Sequence, residues 1–228
     1  MAACLAALSS VVVLVGAAST PGSAAGRSVD GRTLRVVHVG SLRGPAILVF
    51  GAIHGNESAG IAVARDLLAD SATLHSNIWV VPDLNPDGVA RNTRQNARGV
   101  DLNRNFPWRW QGAGARWSFE YSGPRVLSEP ESRFALALIV RVHPAVTIWF
   151  HQPLGVVDES GGSLAVERRF AQRVGLPLRR LTRYRGSAAT WQNHRFPGAT
   201  AFVVELPPGA LGNADVERYA HAVEAAAR

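Results

Sequence analysis

The stretch Phe50-Gly-Ala-Ile-His54-Gly-Asn-Glu57-Ser-Ala-Gly60 decides the fold of this chain, and it completes an apolar run that begins at Ala46. The run predicts a buried strand, and the glycines predict a sharp corner before a helix. Such a corner would hold His54 and Glu57 on one short loop, where both side chains can reach one ion. Zinc accepts both donors at about 2.0–2.2 Å, and a catalytic zinc takes a third protein ligand besides water. Alone, His-x-x-Glu also fits a surface histidine and a helix-starting glutamate, so other residues must decide.

Length and composition describe one ordinary globular domain. The 228 residues are 47% hydrophobic and 18% charged, which suits a single soluble domain with a sizeable core. The net charge of +7 comes from arginine alone, since the chain has no lysine. This charge could favour anionic surroundings such as wall polymers. Because the arginines are scattered rather than clustered, we expect no nucleic-acid partner.

The N-terminal residues have the pattern of an export signal. Ala2 to Ala18 is almost wholly apolar, and small residues follow up to Ala25. We predict a signal peptide over residues 1–25 and a single domain over 26–228, secreted or held in the cell wall, without membrane association after cleavage. No Lys or Arg precedes the apolar segment, so an uncleaved anchor is the alternative. The one cysteine, Cys4, lies in this leader, so we expect no disulfide.

The rest of the chain alternates short apolar strands with amphipathic helices. This order predicts a three-layer α/β/α sandwich around a mixed, largely parallel sheet. Long segments without periodicity, at 89–125 and from 175 to His194, are predicted as loops, and the first carries three tryptophans typical of a site. Strands are predicted at 34–39, 46–50, 78–81, 145–150 and 201–204.

Helix starts are predicted from capping residues. Ser58 and Asn213 are suited to the N-cap positions of the first and last helices. Ser128-Glu-Pro-Glu131 has the spacing of a capping box, and the helix that it opens would stop before Pro144. A further helix is predicted over residues 164–174.

Four polar side chains follow the predicted buried strands at corresponding positions. His54 and Glu57, then His151, then Glu205 each come at or just beyond a strand's C-terminal end. Open α/β sheets bind ligands at that edge. A single histidine there would most simply be structural, but two histidines and two glutamates at one edge predict a site.

The ordered motifs resemble the zinc carboxypeptidase family, the carboxypeptidase A-like hydrolases. The short length and the Trp191 to Pro207 ending look most like the bacterial murein peptide amidases of that family, which cut the γ-D-glutamyl–diaminopimelate bond of wall peptides. The resemblance covers nearly all of residues 26–228, which it implies to be a catalytic domain. The matching motifs are His54-Gly-Asn-Glu57, Asn85-Pro-Asp-Gly88, Thr93-Arg94, Gly99-Val-Asp-Leu-Asn103-Arg104-Asn-Phe106, Tyr121-Ser-Gly123, Ser128-Glu-Pro-Glu131, His151 and Val203-Val-Glu205-Leu-Pro207.

The resemblance implies one zinc ion bound by His54, Glu57 and His151. It also implies that Glu205 is the general base, which would take a proton from the attacking water and return it to the leaving amine. The structural alternative for Glu205 is an ion pair with one of the many arginines.

Further roles are implied for the residues around the substrate. Arg94 matches the arginine that stabilises the developing oxyanion, although Arg91 is close enough in sequence to compete for the role. Asn103 and Arg104 match the pair that grips the substrate's terminal carboxylate. Tyr184 is matched to the mobile tyrosine that closes over the substrate, a match that requires a short deletion between Tyr184 and Trp191. The alternative is that Tyr184 is only an aromatic residue on the surface.

The expected function is that of a zinc metallocarboxypeptidase acting as a monomer on a peptide or muropeptide. The residues before Trp191 are Ala188, Ala189 and Thr190, so no acid there would hold a basic C-terminal residue. One alternative is an N-acyl amino-acid deacylase of the aspartoacylase and succinylglutamate desuccinylase type, which shares two motifs. Another is a wall-binding module without turnover, which the complete set of implied ligands and Glu205 disfavours.

Overall fold

The computed structural model describes residues 23–227, which form one mixed sheet with helices on both faces. Within these residues the sheet has eight strands. Their bounds are β1 Ser23–Arg27, β2 Thr33–Gly40, β3 Ala46–Phe50, β4 Asn77–Val81, β5 Val146–His151, β6 Val156–Asp158, β7 Leu178–Arg179 and β8 Thr200–Glu205.

The strand order is β1-β2-β4-β3-β5-β8-β6-β7. The four central strands β4, β3, β5 and β8 are parallel to one another, whereas β1/β2, β2/β4 and β6/β8 pair antiparallel and the edge pair β6/β7 is parallel. A parallel centre joined to both flanks by antiparallel pairs confirms the predicted mixed sheet. It also brings the C-terminal ends of β3, β5 and β8 to one edge.

Helices cover both faces of the sheet. Their bounds are α1 Ala59–Ala69, α2 Pro86–Arg91, α3 Pro130–Val142, α4 Leu164–Val174, α5 Ala188–Arg195 and α6 Asn213–Glu224, with a short 3₁₀ turn at Leu102–Arg104. Alternate residues of β3 feed two cores, since successive side chains of a strand point to opposite faces. Val49 packs with residues of α1, α4 and α6, whereas Leu48 packs with residues of α3 and α5. The three-layer prediction is confirmed.

The predicted capping box at the start of α3 is wrong. Glu129, not Ser128, occupies the N-cap position, and its side chain makes no capping bond. Ser128 Oγ instead donates to Glu129 Oε1 at 2.7 Å and accepts from Asn105 Nδ2 at 3.0 Å. The Glu131 carboxylate accepts from the Val29 N–H. Long-range partners have therefore taken the groups that a local cap would use.

The two other predicted caps also differ in detail. Ser58 lies at the N-cap position of α1, but its side chain makes no capping bond. The first amide of that helix, Ala59 N–H, donates to Gln152 Oε1 at 2.9 Å instead. In α6 the N-cap residue is Gly212, and Asn213 is the first helical residue.

Several short elements lie where loops were predicted. Strand β7 and helix α5 lie in the arginine-rich segment before His194, and α2 begins within the turn-forming run that follows β4. Strand β6 has only three residues, and its pairing with β8 defines it.

The predicted leader lies almost wholly outside the described residues, as does Cys4. Its last three positions, Ser23 to Ala25, are paired with β2 as part of β1. Its cleavage stays a prediction. Between residues 23 and 227 no helix combines the length and apolar character that crossing a bilayer would require.

Candidate metal centre

The ends of two parallel strands and one corner position the metal-binding side chains. His54 and Glu57 lie in the corner between β3 and α1, and His151 is the last residue of β5. The corner packs directly on the backbone of α2, because a Cβ on Gly55 would lie 1.9 Å from the carbonyl carbon of Gly88. Only glycine fits there. The close packing of this corner thus holds the two ligands at the edge of the sheet.

The three predicted ligands converge. Glu57 Oε2 lies 2.9 Å from His54 Nδ1 and 2.8 Å from His151 Nδ1, and the two imidazole nitrogens lie 3.1 Å apart. All three residues are buried. A tetrahedral zinc with bonds of about 2.0–2.1 Å separates its ligand atoms by roughly 3.3 Å. The donors and their spacing therefore fit zinc, and the three residues form a candidate zinc site as predicted.

Asp101 is a buried residue of this site for which the motifs alone implied no role. Its Oδ1 lies 3.1 Å from His54 Nε2. Burial acts to raise the pKa of Asp101, but the charge and hydrogen bond of His54 and the nearby Arg94 guanidinium lower it overall. A carboxylate that accepts a hydrogen bond from Nε2–H keeps the proton on that nitrogen and leaves the Nδ1 lone pair for the metal. The Gly99 to Phe106 motif contained this residue, and the need of a ligating histidine for such a partner could have identified it.

Arg94 binds both carboxylates of the site. Its Nη1 donates to Glu57 Oε1 at 2.8 Å and its Nε to Asp101 Oδ2 at 2.9 Å. Arg91 instead pairs with Asp30 at 2.7 Å and does not line the cavity described below. Of the two arginines that sequence reasoning left open, Arg94 is the one beside the metal ligands.

Glu205 ends β8 directly beside His151 in the parallel register. Its Oε2 atom is buried and has no hydrogen-bond partner. Burial raises the pKa of the Glu205 carboxyl, although the nearby His151 opposes the increase. No described arginine pairs with Glu205, so the ion-pair alternative is not what the structure contains.

Every predicted site residue lines one cavity of about 380 Å³, the active cavity. The walls come from the corner after β3, the long segment before α3, the ends of β5 and β8, and the segment before α5. The eight predicted residues that line it are His54, Glu57, Arg94, Asn103, Arg104, His151, Tyr184 and Glu205.

Residues 20–153 match the sequence profile described as zinc carboxypeptidase. The chain belongs to the zinc carboxypeptidase family. It is therefore a hydrolase of the metallopeptidase class, and zinc is its metal.

Relatives of this zinc carboxypeptidase include murein peptide amidases. The murein peptide amidase A of Vibrio campbellii is 32% identical over 174 residues, which cover 71% of this chain and 69% of that protein. The murein peptide amidase A of Escherichia coli K12 is 33% identical over 157 residues, 63% of this chain and 64% of that protein. The alignments thus span about two thirds of the relatives' own lengths.

Solved structures resemble the whole described fold. The crystal structure of murein-tripeptide amidase from Escherichia coli O157 has a TM-score of 0.71 at 28% identity, covering 92% of both chains. Carboxypeptidase A from Helicoverpa armigera has a TM-score of 0.75 at 18% identity, covering 90% of this chain and 68% of that one, and so shows the fold alone.

An aromatic pair covers the arginines of this zinc carboxypeptidase. The Tyr184 ring centre lies 3.9 Å from Arg104 Cζ, and the Phe119 ring centre lies 4.1 Å from Arg94 Cζ. The two rings meet edge to face at 5.9 Å. Phe119 was not predicted as a site residue, because one phenylalanine in a segment without periodicity gives no signal.

Proposed function

We propose that this zinc carboxypeptidase removes a C-terminal residue with a free carboxylate from murein peptides, at the γ-D-glutamyl–diaminopimelate bond. The observation that carries the proposal is the joint placement in one cavity of the His54, Glu57 and His151 ligand set with the unpartnered Glu205 carboxylate. The names of the curated relatives support the murein substrate.

In this mechanism His54, Glu57 and His151 hold the zinc. Bound zinc supplies a Lewis acid that polarises the scissile carbonyl and lowers the pKa of water toward about 7. Asp101 keeps the His54 ring oriented, and Arg94 keeps Glu57 in place through their 2.8 Å ion pair.

Glu205 acts as the general base. Its free Oε2 is available to take a proton from the attacking water, since no neighbour in the described chain occupies it. The protonated carboxyl then donates that proton to the leaving amine. A raised pKa makes the carboxylate a stronger base for the first step, and the proton that it gains is then available to the leaving amine.

Arg94 stabilises the oxyanion that develops on the scissile carbonyl. Two of its nitrogens are bound to Glu57 and Asp101, which fixes the guanidinium and leaves Nη2 for the substrate. A cationic donor that is already fixed stabilises developing charge without reorganising.

Arg104 and Asn103 bind the substrate's terminal carboxylate. The Arg104 Nε and Nη2 atoms are buried and have no hydrogen-bond partner. These two nitrogens form one edge of the guanidinium fork, which can donate two parallel bonds to a carboxylate. Tyr184, stacked on that guanidinium and 38% exposed, then closes over the bound residue.

Three substrates test the proposal when offered to the purified protein with one equivalent of zinc. They are a γ-D-glutamyl-diaminopimelate peptide, ordinary peptides with free C-termini, and acetyl-aspartate. We expect hydrolysis of the first above the second and none of the third. Hydrolysis of acetyl-aspartate alone would select the deacylase alternative, and hydrolysis of none would leave the wall-binding module.

We also propose that the chain is exported by its N-terminal segment and acts outside the cytoplasm. The apolar run from Ala2 to Ala18 supports this proposal, and wall peptides are the matching substrate. Fractionation of cells that express the full chain, with N-terminal sequencing of the exported product, tests it. Recovery of uncleaved protein from the cytoplasm alone would exclude export.

A further inference from the structure

A second cavity of about 410 Å³ adjoins the active cavity. The two cavities share Ser160, Arg183, Tyr184 and Thr190, so these residues form the wall between them. The residues found only in the second cavity include Arg109, Arg185 and His194. No Asp or Glu of residues 23–227 lines it. The proposed mechanism leaves this arginine-lined cavity unused.

Arg183 lies in the shared wall with one donor group free. Its Nη1 donates to Asp158 Oδ2 at 2.6 Å, but its Nη2 is buried and has no hydrogen-bond partner. An unpaired buried donor is costly, and native structures rarely leave one without a ligand or water. The free N–H group therefore points to a binding partner that the protein alone does not supply.

Asp158 is already satisfied and cannot serve as a site for a cation. Its Oδ1 accepts from the Leu181 N–H at 2.8 Å, and its Oδ2 accepts from Ser160 Oγ as well as from Arg183. The carboxylate thus orients Arg183 and neutralises part of its charge. What the wall offers to a ligand is a fixed hydrogen-bond donor of positive charge.

The loop that carries Arg183 is fixed against the predicted carboxylate-binding segment. Gly186 accepts from the Phe106 N–H at 3.0 Å and donates to the Trp108 carbonyl at 2.9 Å. A Cβ at Gly186, whose φ is +70°, would lie 2.0 Å from the carbonyl oxygen of Arg104. Arg183 immediately precedes Tyr184, which stacks on Arg104, and all three residues line the active cavity.

We propose that the second cavity is an anion subsite in which Arg183 binds a second carboxylate, carried by the side chain of the substrate's C-terminal residue. The inference rests on the proposed function and narrows its substrate class to C-terminal residues with two carboxylates. Diaminopimelate has this second carboxylate. Lysine has both amines but differs from diaminopimelate in lacking the second carboxylate. Arg109 and Arg185 line the same cavity and add to its positive charge.

A matched pair of peptides tests the subsite, γ-D-glutamyl-diaminopimelate against γ-D-glutamyl-lysine. For the zinc-loaded full chain we expect kcat/KM to favour the diaminopimelate peptide about ten- to hundredfold, the range for one hydrogen-bonded charge. Arg183→Gln should bring this ratio close to one. Arg180→Gln is the control, because Arg180 is exposed on the same segment and lines neither cavity, and it should keep the wild-type ratio.

Equilibrium binding of the free amino acids gives a readout that does not need turnover. Calorimetric titration of the zinc-loaded enzyme should show tighter binding of diaminopimelate than of lysine, with the difference lost in Arg183→Gln. Should that variant fail to fold by circular dichroism, Arg183→Lys keeps the ion pair with Asp158 but loses the fork. The preference of Arg183→Lys for diaminopimelate over lysine should be weaker than that of the wild type but should not disappear.

The outcomes separate the subsite from the function. Equal rates and equal affinities for the two ligands in the wild type, or an unchanged ratio in Arg183→Gln, would overturn the anion subsite even if both peptides are cut. Arg183-dependent binding of diaminopimelate without hydrolysis of either peptide would support the subsite and overturn the proposed peptidase activity.

Discussion

The hydrogen bond between His54 and Asp101 determines which imidazole nitrogen is left for the metal. Because Asp101 accepts a hydrogen bond from Nε2–H, the proton stays on Nε2, and Nδ1 faces Glu57 and His151 with its lone pair. The sequence placed His54 at a metal site but not its partner. Asp101 lies 47 residues later in a segment without periodicity, so only the folded chain joins the two.

Asp101→Asn should weaken zinc binding by about ten- to hundredfold, the usual cost of losing a carboxylate behind a ligating histidine. The amide is a poorer acceptor for the His54 N–H group and carries no charge to form an ion pair with Arg94. Competition with a fluorescent zinc chelator measures the affinity. Asp70→Asn, at an exposed position after α1, is the matched control and should leave it unchanged. An Asp101→Asn protein with wild-type affinity would show that the bond does not tune the site.

Glu205→Gln should keep about one zinc per chain and lose most activity, on the order of a hundredfold or more in kcat. The amide has nearly the same shape but cannot take the proton of the attacking water. Metal analysis and steady-state kinetics on the same preparation separate the two effects. A wild-type rate in this variant would remove Glu205 from its proposed role.

Elements with strong periodicity could be predicted from the sequence, and elements made by pairing could not. Helix α4 and strand β3 have the predicted bounds, because each buries a clear apolar pattern. Strand β6 and helix α5 are too short to show a clear periodicity, and their places depend on contacts with β8. Local capping was wrong at Ser128 because Asn105, distant in sequence, binds its hydroxyl.

Helix α4 carries a buried carboxyl whose protonation should affect stability. Glu167 is 1% exposed, and its Oε1 accepts from the Ser160 and Gly162 N–H groups. Burial raises the pKa of Glu167 to about 7. Since the folded pKa is above the unfolded value, the stability that the proton contributes is full below about pH 4.5 and is lost as the pH rises through about 7.

Glu167→Gln should remove this pH dependence, because the amide oxygen still accepts both bonds and never ionises. At about 1.4 kcal/mol per pKa unit, the wild type should lose on the order of 3 kcal/mol relative to the variant between pH 4 and 8. Urea unfolding of both proteins across that pH range measures the difference in their unfolding free energies. The contributions of all other titrating groups are the same in both proteins and cancel in this difference. If the difference in unfolding free energy between the two proteins does not change with pH, Glu167 does not have a raised pKa in the folded protein.

At the scale of the molecule, the sheet edge was predictable and the composition of the cavity was not. The apolar strands and the polar residues that follow them placed His54, His151 and Glu205 at one edge, since parallel strands end together. Arg94 and Arg104 come from the long connection before α3, and only the family motifs suggested them. Arg183 and Asp158 gave no pattern, because their pairing depends on β6 and the segment before α5.

The zinc site joins the corner after β3 to the end of β5, so metal binding should stabilise the whole sheet. A ligand present at about a thousand times its Kd stabilises the folded state by roughly 4 kcal/mol, which for a chain of this size corresponds to a Tm shift on the order of 10 °C. Removing the metal with phenanthroline should therefore lower the Tm by that amount, and added zinc should restore it. His151→Gln should lose most of this response, whereas His221→Gln, an exposed change on α6, should keep it. Scanning calorimetry, with metal analysis of the same samples, measures the Tm. If the chelator removes the metal but leaves the wild-type Tm unchanged, His54, Glu57 and His151 do not hold the ion together.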